Sequence, residues 1–185
     1  LSRLDLTPAQ WRDLYAALTG ADQEALGTLP VPLADGRVVR GPRGLLLPTG
    51  EIAPDVVASL GVRIVAVEAV HPLLRRLGAM DATPAAVLRD PGVRATADAL
   101  ADDEPVAADE GLALVAALLH LVAAAGSTVE DEPWLARIPL PDATGHPVPA
   151  GELLVPEATV LDLLDADPAE LTVAAEAVQR WGPAV

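Results

Sequence analysis

The sequence predicts an α+β fold: two small hairpin-plus-helix pseudo-repeat units packed around a central buried helix. Three observations predict it. The stretch LPVPLADG at Leu29–Gly36 returns as IPLPDATG at Ile138–Gly145, with both prolines and the closing glycine in register. Each copy is followed by a short apolar strand ending in proline, LLLP in the first and LLVP in the second, and then by a helical pattern. Finally, LALVAALLHLVAAA at Leu112–Ala125 is apolar on nearly every face, and such a helix is stable in water only when covered all round. A unit this small cannot bury its apolar side alone, so two of them share a core, as in repeat architectures.

In chain order, LTPAQWRDLYAALTG places Thr7 as an N-cap, Pro8 in the first helical turn and Gly20 as the stop. Trp11, Leu14, Tyr15 and Leu18 recur at helical spacing and form its apolar face. Pro30 and Pro32 cannot donate to a central ladder, so Leu29–Leu33 reads as an edge strand. Ala34, Asp35 and Gly36 make a three-residue hairpin turn with glycine where φ must be positive. RVVRGPRG is the return segment. APDVVASLG is a short helix stopped by Gly61, VRIVAV the clearest strand, and His71 with Pro72 opens another helix. ATPAAVLRD and PGVRATADALADD read as two more helices. The acidic stretch ADDEPVAADE at Ala101–Glu110 is the expected linker, which divides the chain into 1–104 and 105–185. In the second part AEAVQRWG matches the helix PDVVASLG, and the strand that should follow it is missing. That truncation, with Leu1 at the start and Met80 as the single methionine, leads us to expect one compact domain excised from a longer chain.

Composition narrows the function. The 185 residues are 51% hydrophobic and 21% charged, which is globular and not disordered. Aromatic residues make up 2%, so Trp11, Tyr15, Trp134 and Trp181 are the few large anchors. Lys, Asn and Phe are absent, a high-GC, bacterial type of coding bias. Without cysteine there is no disulfide, thiolate metal site or cysteine nucleophile. A net charge of −15 repels phosphate backbones and anionic membrane surfaces, so neither nucleic acid nor membrane is an expected partner. Leu112–Ala125 is also shorter than the ~20 residues that span a bilayer. No signal-peptide pattern opens the chain, and a cytoplasmic location is expected.

LARIPLPDATGHPVPAGELLVP and LGVRIVAVEAVHPLLRRLG resemble the repeat regions of sacsin-like proteins. The resemblance covers Ala25–Gly78 and Trp134–Gly182, with the order Leu-Pro hairpin, LL-x-P strand and LG helix in both. It implies a large parent chain with an upstream Bergerat-type ATPase domain similar to that of the ninety-kilodalton heat-shock chaperones. The ATPase residues themselves do not carry over: asparagine is absent, and GRVVRGPRG lacks the Lys-Ser/Thr of a phosphate loop. No cofactor is expected.

Arg37, Arg40 and Arg43 form the one candidate interaction patch, a basic cluster in an acidic chain that could face a partner or simply solubilise an exposed edge. Alternation sends Arg37 and Arg40 to opposite faces unless a bulge intervenes. His71, His120 and His146 fit no metal-ligand spacing; we expect a helix cap, a hydrogen-bonded core histidine and an exposed residue, respectively. Ser2, Ser59 and Ser127 lie in no nucleophile-elbow pattern, so no catalytic residue is assigned. The expected function is a non-catalytic interaction or coupling module of a larger chaperone-like ATP-binding protein, with other domains of the parent chain or a client polypeptide as partner. The alternatives are a small hydrolase or transferase with dispersed residues, and a structural spacer.

Overall fold

Thr7 caps the first helix as its spacing predicts. Helix α1 runs Pro8–Ala17; the Thr7 hydroxyl accepts from the Gln10 N–H at 3.4 Å, and the Gln10 side chain accepts from the Thr7 N–H at 2.8 Å. The helix ends at Ala17, ahead of Gly20. Trp11 and Tyr15, one turn apart, are fully buried, and the Tyr15 hydroxyl donates to Pro30 C=O at 2.7 Å. That bond ties α1 to the first hairpin. The computed structural model describes residues 6–22, 24–102, 108–126, 132–156, 158, 161 and 167–182.

The hairpin pairs β1 (Pro30–Pro32) with β2 (Val38–Arg40) in antiparallel register, Val31 opposite Val39. Leu33 N–H donates to Arg37 C=O at 2.8 Å and Gly41 N–H to Leu29 C=O at 2.9 Å, so Val31 and Val39 form the hydrogen-bonded pair between them. Gly36 closes the turn at φ 84°. Pro30 and Pro32 fall at the alternate positions, which face away from β2. There their missing N–H groups cost nothing, and their carbonyls accept from the Tyr15 hydroxyl and from Ala66 N–H. The expected edge strand is therefore an inner one. Prolines at every second residue leave a strand able to be flanked on both sides, and the true edge of the hairpin is β2.

VRIVAV forms no regular strand. Ile64 makes a single parallel bridge to Leu46, Val65 a single antiparallel bridge to Leu33, and the chain then enters a 3-10 turn at Val67–Ala69. The segment is extended, but β1 ends beside it in proline and β3 (Leu46–Leu47) is two residues long, so no ladder can lengthen. These bridges still link the hairpin to β3, and β3 pairs in parallel with β4 (Met80–Asp81). Leu45, Leu46 and Leu47 are all 1% exposed, so the middle of this small mixed sheet is covered on both faces. α2 (Pro54–Ser59), α3 (Pro72–Arg76) and α4 (Pro84–Leu88) complete the first half. His71 caps α3, its Nδ1 accepting from Leu73 N–H at 3.2 Å, as expected.

The chain divides into two compact units, Leu1–Gly92 and Val93–Val185. The division falls within α5 (Pro91–Ala101) and not in the acidic stretch at 101–110, of which 103–107 lie outside the described residues. The second unit also holds α6 (Ala108–Ala125), β5 (Pro139–Pro141), β6 (Pro147–Pro149), α7 (Pro168–Leu171) and α8 (Ala175–Trp181). Arg137, at the end of a 3-10 turn, reaches two carboxylates four residues apart, Asp98 on α5 at 2.8 Å and Asp102 just past its end at 3.3 Å.

The duplication is structural as well as textual. β5 and β6 repeat the register of β1 and β2, with Leu140 opposite Val148. The bridge pair Leu33–Val65 and Leu46–Ile64 recurs as Asp142–Val173 and Leu154–Thr172. Ala66 N–H donating to Pro32 C=O at 3.0 Å is matched by Ala174 N–H to Pro141 C=O at 2.9 Å. This corrects the expected truncation. The counterpart of IVAVEAV at Ile64–Val70 is TVAAEAV at Thr172–Val178, so the second copy has its extended segment, and α8 follows it where the first copy has the turn at Val67–Ala69.

The helix preceding each hairpin belongs to the repeat too: α1 packs on the turn Val67–Ala69, and α6 packs on α8. α6 is thus the second copy's own helix. Nor is it covered all round, as its composition suggested. Val115, Leu118, Leu119 and Leu121 are buried, whereas Leu112 is 56% exposed and His120 is exposed, not a core histidine. Alanine makes up most of the uncovered surface, and alanine is a helix former whose exposure costs little.

Candidate functional site

The antiparallel register decides which backbone groups each hairpin turns outward. In the first, Val38 and Arg40 sit at positions that do not bond β1, so their N–H and C=O groups point away from it, those of Val38 along the open side of β2. In the second, Asp142 N–H donates to His146 C=O and Ala150 N–H to Ile138 C=O, both at 2.9 Å, which puts Pro147 and Pro149 at the corresponding outward positions. The two edges therefore differ chemically. That of β6 offers carbonyls and no donor, whereas β2 keeps a strand-like edge with the Val38 side chain 53% exposed above it. Proline on an edge prevents strand addition; a short open edge permits it.

The three arginines of the sequence patch do not form one cluster. Arg37 belongs to the turn: its Nη2 lies 2.7 Å from Asp35 Oδ2, and its own N–H donates to Asp35 Oδ1 at 2.9 Å. The Arg37 side chain, first through its hydrogen bond, holds the Asp35 carboxyl below its usual range, and the carboxylate in turn raises Arg37. Its charge is spent within the hairpin. Arg40 is exposed at the end of β2, opposite Pro30. Arg43 lies just beyond, its Cγ filling the space that Gly78, at φ 102°, leaves open. Arg63, which the sequence did not single out, joins this end: its Nη2 donates to Gly44 C=O at 3.2 Å. The turn that carries them is held tightly, because Gly41, at φ 82°, sits so close that a Cβ would meet Gly27 C=O at 2.9 Å.

The second turn is solved differently. Asp142 occupies the place of Leu33 and is 3% exposed. Its Oδ1 accepts from Thr144 N–H at 2.8 Å, from the Thr144 hydroxyl at 2.7 Å and from His146 N–H at 2.9 Å. The Thr144 hydroxyl bond is the main cause holding the carboxyl below its usual range; it outweighs the opposing desolvation, and the backbone donors His146 and Thr144 add to it. With its one hydrogen committed to Asp142, the hydroxyl receives the His146 Nδ1–H at 2.7 Å. In a nucleophilic relay the hydroxyl must instead donate to the histidine. Asp142, Thr144 and His146 are a turn lock. The Asp-x-Thr-Gly-His spacing is an Asx-turn signature that would have located it in the sequence.

A folded-state pKa below the unfolded value means the lock contributes fully above about pH 3.9, the ordinary aspartate value, and is lost as pH falls through the native pKa. Asp35 acts with the same sign. Urea midpoints measured at neutral and at acid pH should therefore differ less in Asp142→Asn than in the parent. Equal acid sensitivity in both would show that the carboxylate charge is not what closes the turn.

Beside this lock lies an open depression of about 610 Å³, bounded by Pro141–Gly145 and by Ala174–Ala177 with Arg180. Among the described residues no three His, Asp or Glu side chains gather within reach of one metal ion, and no helix is long and apolar enough to cross a membrane.

Charge follows the division of the chain. Leu1–Gly92 holds nine of the twelve arginines against ten acids, a net of −1, so Val93–Val185 carries −14. Between Leu29 and Gly50 the only acid is Asp35. The repulsion of anionic partners expected from the whole chain is a property of its second half.

No family model matches the chain, and neither a curated protein nor a solved structure shows significant similarity to it.

Proposed function

We propose that the chain is a non-catalytic interaction or coupling module of a larger, cytoplasmic, chaperone-like ATP-binding protein, engaging other domains of that protein or a client polypeptide along the edge of β2. The resemblance to sacsin-like repeats motivates the chaperone setting. One observation carries the interaction reading: of two hairpins with the same register, one has proline at both outward positions and the other has Val38 and Arg40 there. A duplicated element needs no open edge for its own folding, as β6 demonstrates. An edge kept open beside an exposed valine suits recognition by strand addition, in which main-chain hydrogen bonds supply affinity.

Hydrogen exchange with and without the rest of the parent protein tests this. Protection should be gained at Arg37–Arg43, with the equivalent His146–Ala150 unchanged. Protection confined to the depression beside Asp142 would replace the interaction reading with that of a ligand-binding domain.

A further inference from the structure

The β2 edge is not electrically neutral, and this specifies its partner more closely than the reading on which it rests. We propose that the edge of β2 takes up an acidic, extended polypeptide segment as an added strand, with Arg43 and Arg63 facing its carboxylates. Val38 supplies an outward N–H and C=O in a strand geometry. The nearest acid in sequence, Asp35, is already matched by Arg37 at 2.7 Å, at the opposite end of β2. Beyond Arg40 the chain turns at Gly41–Gly44 and presents Arg43, with Arg63 bonded to the carbonyl of Gly44 at 3.2 Å. Both of these side chains are exposed, and the sequence has no acid between Gly36 and Gly50. The edge thus has a polarity along its length: neutral at the hairpin turn and cationic at the far end.

A second copy of the same edge is a poor occupant, because pairing β2 with β2 would set arginine near arginine, and like charges across paired strands are destabilising. A basic or phosphate-free neutral strand would gain the backbone bonds without the charge match. An acidic strand gains both. Arginine suits this role, since its planar fork engages carboxylates in pairs and its charge persists at any working pH.

The second copy supplies the blocking variant. Val38→Pro places in β2 the residue found at the equivalent Pro147 of β6, which forms the same hairpin register, so the fold tolerates it. Arg43→Gln with Arg63→Gln removes charge and leaves the backbone edge untouched. The probe is a fluorescent, end-blocked peptide of about six residues, a usual strand length, alternating Val and Glu; Lys and Gln replace Glu in two matched peptides. Anisotropy is read at about 0.02 M and about 0.5 M salt, on either side of the ionic strength where screening becomes short-ranged. The Glu peptide should bind best at low salt. Val38→Pro should weaken it about tenfold, the effect of losing one or two hydrogen bonds of ordinary net strength. The double Gln variant should weaken it about fivefold at low salt and leave it unchanged at high salt, as exposed ion pairs do. If Glu, Lys and Gln peptides bind alike and all are lost in Val38→Pro, the edge is a strand acceptor and the acidic specificity is overturned. Binding of the Glu peptide that survives Val38→Pro overturns the site. Failure of all three peptides to bind overturns both this proposal and the edge reading beneath it.

Discussion

Replacing Trp11 by alanine should cost about 3–5 kcal/mol, the range for deleting a buried tryptophan, and leave the first unit largely unfolded. Trp11 is 1% exposed, and its ring stacks on Tyr15 with centroids 6.2 Å apart. Tyr15 in turn holds Pro30 C=O, so the loss would propagate into the hairpin and into the edge of β2. Trp11→Phe separates the causes. The indole N–H is buried and has no hydrogen-bond partner among the described residues, a penalty of about 1–3 kcal/mol that phenylalanine removes. The phenyl ring leaves a smaller void than alanine, so the two effects oppose and Trp11→Phe should sit close to the parent. Urea unfolding followed by far-ultraviolet dichroism measures both. A Trp11→Phe variant as unstable as Trp11→Ala would show that ring volume alone governs the site.

Along α6 two leucines should behave in opposite ways. Leu118, fully buried, should lose about 2–5 kcal/mol on truncation to alanine, whereas Leu112, 56% exposed, should change stability by about 0.5 kcal/mol or less. The contrast reports the one-sided seating of the helix through Val115, Leu118 and Leu119. Comparable losses at both positions would restore the all-round burial that the composition of this segment suggests.

How much of this was legible depended on whether the deciding interaction was local. Thr7 with Gln10, His71 before Pro72, and Asp35-Gly36 each settle their geometry within a few residues, and each was readable as a cap or a turn. The register of the two Leu-Pro hairpins was readable for the same reason. What failed was pairing at a distance. VRIVAV has strand composition, but its neighbours offer it one residue each. Pro30 and Pro32 argued for an edge because sequence shows that a donor is missing, not which side it would have faced. The match of TVAAEAV to IVAVEAV is masked in the sequence because dissimilar helices, α2 and α7, precede the two segments and a helix, α8, runs on directly from the second. His120 was misplaced since an alanine-rich helix hides which of its faces is covered. Of the candidate site, Arg37, Arg40 and Arg43 were visible as a run; that Asp35 removes the first and Arg63 joins the others is tertiary information.

The unequal charge of the two units has a consequence for how the molecule responds to its solvent. Fourteen net negative charges within Val93–Val185 repel one another, and dissolved ions that screen them relieve that strain, while Leu1–Gly92 has almost nothing to relieve. One chain therefore has two sensitivities to ionic strength. Dilution of salt loosens its second half and leaves its first half indifferent, so the unit bearing the open strand edge keeps its shape across conditions that tax the other.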